Sequence, residues 1–182
     1  MRVVGGSARG CRLASVPGDT TRPIMDRVKT ALFDILRPSI SDISVLDCFS
    51  GTGAVGIEAL SQGAASCTFL DLEKRAIETI RENLETTHLT EKADVRHTDA
   101  FRYVKNCHKS FDLIYVAPPQ YEGLWLEMMH LLAERPERLA SGGQIVVQID
   151  PKEYNNEEFS TLTLADERRY GNTLLLFFTA KA

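Results

Sequence analysis

The chain has 182 residues, 43% of them hydrophobic and 25% charged, with a formal net charge of −4. That length suits one domain with a small appendage rather than two full-sized ones, and the composition excludes disordered, collagen-like and fibrous classes. No apolar run approaches the roughly 18 residues of a membrane span, residues 1–10 lack the apolar stretch of a signal peptide, and Cys11, Cys48, Cys67 and Cys107 show no CxxC spacing that would point to zinc or disulfides, so a reduced cytoplasmic setting is expected.

Residues 3–4 and 11–13, separated by Gly5, Gly6, Ser7 and Gly10, read as a glycine-rich hairpin. A helix is predicted over about 25–36. There Val28, Ala31, Leu32, Ile35 and Leu36 recur at i, i+3, i+4, i+7 and i+8, and Pro38 stops the run. Charge is lopsided here. Residues 1–37 carry seven basic side chains (Arg2, Arg9, Arg12, Arg22, Arg27, Lys29 and Arg37) against Asp19, Asp26 and Asp34, giving +4, while the rest of the chain is −8. Arginine pairs with phosphate through a planar fork. The segment therefore reads either as a solvated surface or as a phosphate-binding arm on an acidic body. Arg2, Arg9, Arg12, Arg22 and Arg27 are its candidate contacts.

From residue 44 the rhythm changes. Strand-like runs at 44–49, 67–72, 94–97, 111–116 and 144–149 alternate with helix-length segments at 54–61, 74–86, 100–107 and 124–134. Repeated βα units imply a parallel sheet covered by helices on both faces. Two last runs, 162–169 and 173–179, have no helix between them and are expected to pair antiparallel. The expectation is an α/β, Rossmann-like sheet of seven strands, mostly parallel, with a C-terminal antiparallel hairpin. Residues 1–40 would form the basic hairpin and helix and 41–182 the core of one domain, 1–182.

The first strand runs into Asp47-Cys48-Phe49-Ser50-Gly51-Thr52-Gly53-Ala54-Val55-Gly56. Glycines between strand and helix let a ligand approach the backbone. Asp47, Asp71 and Asp99 stand at three successive strand ends, which in open α/β sheets converge on one crevice. Asp71 is placed to accept from ribose hydroxyls, and Asp99 from an adenine amino group. A carboxylate beside the glycine loop would repel a pyrophosphate and suits an ammonium. S-adenosylmethionine fits that pattern better than NAD. The fourth strand ends in Ala117-Pro118-Pro119-Gln120-Tyr121. Its prolines stiffen the chain and leave carbonyls free as acceptors beside the ligand. Cys48, Trp125 and Met128 read as packing residues, and the four histidines show no ligand spacing. Glu58 reads equally as a group that steadies the loop and as a solvated one.

The run from Asp47 to Ala64 resembles methyltransferases that modify an exocyclic amine with S-adenosylmethionine. Residues 1–6, Arg22-Pro23 with Asp26-Arg27-Val28, Ala31-Leu32-Phe33, and the closing Arg169-Tyr170-Gly171-Asn172-Thr173 resemble bacterial 16S rRNA guanine-N2 methyltransferases. The likeness spans essentially the whole chain. It implies a class I methyltransferase domain with an RNA-facing N-terminal hairpin, acting as a monomer on 16S rRNA within small-subunit particles, with no metal. Asp47, Phe49, Ser50, Gly51, Thr52, Gly53, Asp71, Leu72, Asp99 and Ala100 would be its cofactor-binding residues. Ala117 to Tyr121 would be the catalytic loop. That family's loop reads Asp/Asn-Pro-Pro-Tyr/Phe, whereas this chain reads Ala-Pro-Pro-Gln-Tyr. The departure leaves a second reading, a protein that binds cofactor and RNA in ribosome assembly without efficient catalysis.

Overall fold

Strands that are apolar on both sides need cover on both faces, and this sheet has it. The computed structural model describes residues 1–18 and 23–182. Its elements are α1 (Asp26–Leu36), β1 (Ser44–Asp47), α2 (Ala54–Ser61), β2 (Ser66–Asp71), α3 (Lys74–Thr86), β3 (Ala93–His97) and α4 (Ala100–Asn106). They continue with β4 (Phe111–Val116), α5 (Leu124–Glu134), β5 (Leu139–Ile149), β6 (Leu162–Tyr170) and β7 (Thr173–Ala180). The strands form one sheet in the order β3-β2-β1-β4-β5-β7-β6. β1 to β5 pair parallel, and β7 lies antiparallel between β5 and β6. This is the expected seven-stranded, mostly parallel sheet with its C-terminal hairpin.

Residues alternate between two cores. Val45, Leu113, Tyr115, Val146 and Phe177 pack with α1, α2 and α3 on one face. Leu46, Ile114, Val147 and Leu176 pack with α4 and α5, including Trp125, Met128 and Met129, on the other. Gly56 shows how close α2 sits to the sheet. A Cβ there would come within 2.3 Å of the Phe69 ring, so only glycine permits this helix–strand approach.

Two elements depart from expectation. β5 begins at Leu139, five residues before the predicted start. The Ser141-Gly142-Gly143 stretch masks the strand pattern, and the ladder with β4 is irregular between Phe111 and Leu113. At the N-terminus the hairpin forms an isolated bridge, Arg2 to Arg12, rather than two strands, with Val3 N donating to the Cys11 carbonyl (2.9 Å), Gly10 N to that of Val3 (2.9 Å) and Leu13 N to that of Met1 (3.1 Å). Amides that would extend the ladder turn to α2 instead. Val4 N and Gly5 N donate to the Glu58 carboxylate at 2.9 and 3.0 Å, and Ala8 N to Ser61 Oγ at 2.9 Å. Val3, Ala8 and Leu13 are buried in the first core, so this segment is part of the folded body. None of the described helices is long and apolar enough to cross a membrane. Arg22 lies outside the described residues.

Candidate active site

The carboxyl ends of β1, β2, β4 and β5 open into a cavity of about 780 Å³, within the roughly 300–1,000 Å³ usual for ligand sites. Asp47, Phe49, Ser50, Gly51, Thr52, Asp71, Leu72, Asp99 and Ala100 all line it, as do Ala117, Pro118, Pro119 and Gln120. Gly53 and Tyr121 are not among the lining residues.

The glycine loop is shaped from below. Ser50 Oγ donates to the Asp47 carbonyl (2.9 Å) and accepts from Leu70 N (3.1 Å), stitching β1 to β2. Gly53 is in the left-handed region at φ 82° as the cap of α2, a conformation that favours glycine. Asn83 on α3 then ties this loop to the N-terminal segment. Its amide donates to the carbonyls of Thr52 (2.9 Å) and Ala14 (3.1 Å) and accepts from Ala14 N (2.7 Å).

The three carboxylates differ in their surroundings. Both oxygens of Asp47 are buried without a hydrogen-bond partner. Burial pushes its carboxyl up to about 7; the Gly56 amide and Ser50 hydroxyl nearby offset this only in part, and the Asp71 charge adds to it. An unpartnered buried carboxyl is costly, and a ligand ammonium would satisfy it. Asp71 takes Gly51 N on one oxygen and Glu73 N on the other, both at 2.9 Å. Burial raises it too. Each oxygen keeps acceptor capacity for a sugar hydroxyl. Asp99 caps α4, with Oδ1 accepting from Phe101 N (2.7 Å) and Arg102 N (3.2 Å). These residues fit S-adenosylmethionine, which carries an ammonium, a ribose and an adenine but no phosphate. Cys48 is buried and its thiol pushed well up by that burial, so it is a packing group and not a nucleophile.

Beside this site, the diproline loop leads to Tyr121, which has φ 64° and is 62% exposed. Its amide donates to Glu153 (2.7 Å) and its hydroxyl to Asp150 Oδ2 (2.6 Å). Sequence reading overlooked other lining groups: Gln148 at the end of β5, Glu127 on α5 and Thr173 after the final turn. Gln148 accepts a hydrogen bond from the Tyr115 hydroxyl. Only strand register reveals it, because nothing in the local pattern separates it from an ordinary edge glutamine.

The arginines divide by position. Arg2, Arg9, Arg12 and Arg27 are exposed, whereas Lys29 is buried against Glu58. Arg2 and Arg12 stand directly opposite one another across the bridge. Like charges so placed are unfavourable unless an anion lies between them. Among the described residues no group of three or more His, Cys, Asp or Glu side chains could hold a metal.

Comparison with known proteins places this geometry. The chain is 36% identical over 176 residues to a Bacillus subtilis (strain 168) protein named "Putative rRNA methyltransferase YlbH", covering 95% of each. It is 34% identical over 134 residues to the ribosomal RNA small subunit methyltransferase D of Escherichia coli (strain K12), covering 74% of this chain and 67% of that protein. The solved structure named "Putative methyltransferase yhhF from Escherichia coli" superposes with a TM-score of 0.88 at 30% identity, over 100% of this chain and 98% of that one. The family described as conserved hypothetical protein 95 matches residues 1–179, and the chain belongs to that family, the one that includes the ribosomal RNA small subunit methyltransferases D.

Proposed function

We propose that the protein transfers a methyl group from S-adenosylmethionine to the exocyclic N2 amine of a guanine in 16S rRNA. It works in the cytoplasm as a monomer on small-subunit particles, with residues 1–40 and 41–182 acting as one unit and no metal taking part. One observation carries the reading: a single cavity brings the unpartnered Asp47, the paired Asp71 and Asp99, and the diproline loop together. Relatives at 34–36% identity named as rRNA methyltransferases support it, and they disfavour the reading without catalysis.

When bound, the cofactor supplies an electrophilic methyl on a sulfonium. Asp47 would accept from the ligand ammonium, Asp71 and Leu72 would hold the ribose, and Asp99 and Ala100 would meet the adenine. Phe49, Ser50, Gly51, Thr52 and Gly53 shape the pocket wall. The Pro118 carbonyl takes one N–H of the target amine, which localises its lone pair toward the methyl. Positioning and preorganised dipoles dominate such a reaction. The base leaves its stack to reach the loop, and the Tyr121 ring offers it a face. Arg2, Arg9, Arg12 and Arg27 contact phosphates, and Arg22 belongs with them by sequence.

Radiolabelled methyl transfer to small-subunit particles lacking the modification tests this, with naked 16S rRNA in parallel. Incorporation at guanine N2 is expected. No incorporation by folded protein that binds S-adenosylhomocysteine overturns it.

A further inference from the structure

Ala117 offers no side-chain acceptor at the head of the diproline loop, yet the sheet places another polar group beside it. β4 and β5 run parallel with Val116 opposite Val147, so the next pair out is Ala117 and Gln148. Side chains two apart on a strand share a face. Ala117 follows Tyr115 on the face of the first core and packs against that core, and Gln148 follows Val146 on the same face. All of Tyr115, Ala117 and Gln148 line the cavity. Gln148 therefore stands next to the direction an acceptor at 117 would point.

Its amide is also held. The Tyr115 hydroxyl donates to Gln148 Oε1, and Tyr115 itself is buried and registers with Asp47 on β1. Asp47 and Tyr115 are thus opposite one another on β1 and β4, and Gln148 lies diagonally on β5, two residues beyond Val146, the register partner of Tyr115. A carbonyl oxygen has two lone pairs. One on Oε1 is used by Tyr115, and the other is available to an N–H donor in the cavity.

We infer that Gln148 is a catalytic residue that accepts one N–H of the target guanine amine in place of a side chain at 117, and that Tyr115 is the positioning residue that aims it. This rests on the function proposed above. The N2 lone pair forms the new N–C bond as the C–S bond breaks with its electron pair going to sulfur. The cationic amine then releases its extra proton to water. Gln148 takes no proton; it orients the amine and stabilises charge developing on nitrogen.

Three measurements test it. Gln148→Ala should lower kcat about 10²-fold, as loss of one preorganised hydrogen bond does, with KM for small-subunit particles and calorimetric S-adenosylhomocysteine affinity changed less than about threefold. Adding Ala117→Asp to Gln148→Ala should restore most of the lost kcat, which a merely structural role for Gln148 would not allow. In wild-type protein saturated with S-adenosylhomocysteine, the Gln148 side-chain NMR signals should shift with guanosine monophosphate and not with inosine monophosphate, which lacks the N2 amine. A wild-type kcat in Gln148→Ala, no rescue by Ala117→Asp in folded protein, or equal shifts with both nucleotides overturns the assignment. If wild-type protein transfers no methyl to small-subunit RNA, the proposed function fails, while the nucleotide comparison still decides the role of Gln148.

Discussion

Lys29 Nζ and Glu58 Oε1 lie 3.1 Å apart with neither side chain exposed, and they join the N-terminal segment to the helix that follows the glycine loop. Lys29 also donates to the Arg2 carbonyl at 2.6 Å, while Glu58 takes the amides of Val4 and Gly5. Removing one partner of such a pair leaves an uncompensated buried charge, at a cost of about 3–5 kcal/mol. Lys29→Met should lose that much in urea unfolding. Lys74→Ala, which breaks the exposed pair with Glu78, should change stability by less than ~1 kcal/mol.

Asp47 predicts a pH dependence. Its carboxyl sits at about 7 in the folded chain because it is buried, against roughly 3.9 when unfolded. Between these values the native state holds a proton that the unfolded state has released. The contribution of this group to stability is therefore full below about pH 4 and lost as pH rises through 7. Asp47→Asn should flatten the urea midpoint between pH 5 and 7.5. An ammonium beside Asp47 favours the carboxylate, so binding of S-adenosylhomocysteine at pH 6 should release a proton. Calorimetry in buffers of different ionisation enthalpy reads that release, and it should vanish in Asp47→Asn.

The opposed Arg2 and Arg12 predict a salt signature. If both meet phosphates, Arg2→Ala and Arg12→Ala should each weaken 16S rRNA binding and reduce the slope of log K against log salt by about one. Parallel slopes for wild type and variants would count against this interface. Arg37→Ala is the control, because that side chain pairs with Asp34 on the exposed side of α1 at 2.6 Å.

Tyr121 separates ring from tether. Tyr121→Phe loses the hydroxyl contact with Asp150 but keeps the aromatic face; Tyr121→Ala loses both. A stacked base contributes about 1–3 kcal/mol. RNA affinity should therefore fall several-fold to about 150-fold in Tyr121→Ala and stay within about threefold in Tyr121→Phe. Equal losses would make the hydroxyl tether, rather than the face, the functional element.

Much of this was readable in the residues. Predicted helices at 54–61, 74–86 and 124–134 and the strand at 111–116 coincide with α2, α3, α5 and β4, because long apolar periodicity dominates local choice there. Three acids at strand ends were legible for the same reason: strand direction alone sends them to one edge. Glu58 was ambiguous, since a carboxylate on a helix is usually solvated and only folding brings Lys29 and two N-terminal amides to it. Gln148 was invisible because its meaning comes from lying beside Ala117, and register between strands is set by packing rather than by local pattern.

Asn83 carries a last implication. Both of its amide N–H groups and its oxygen are bonded to residues 14 and 52, and the Ala14 bond spans 69 positions. The segment around Ala14 therefore closes its latch only when α3 is in place. One side chain thus couples the arm around Ala14 to the glycine loop at Thr52, so the two hold or loosen together.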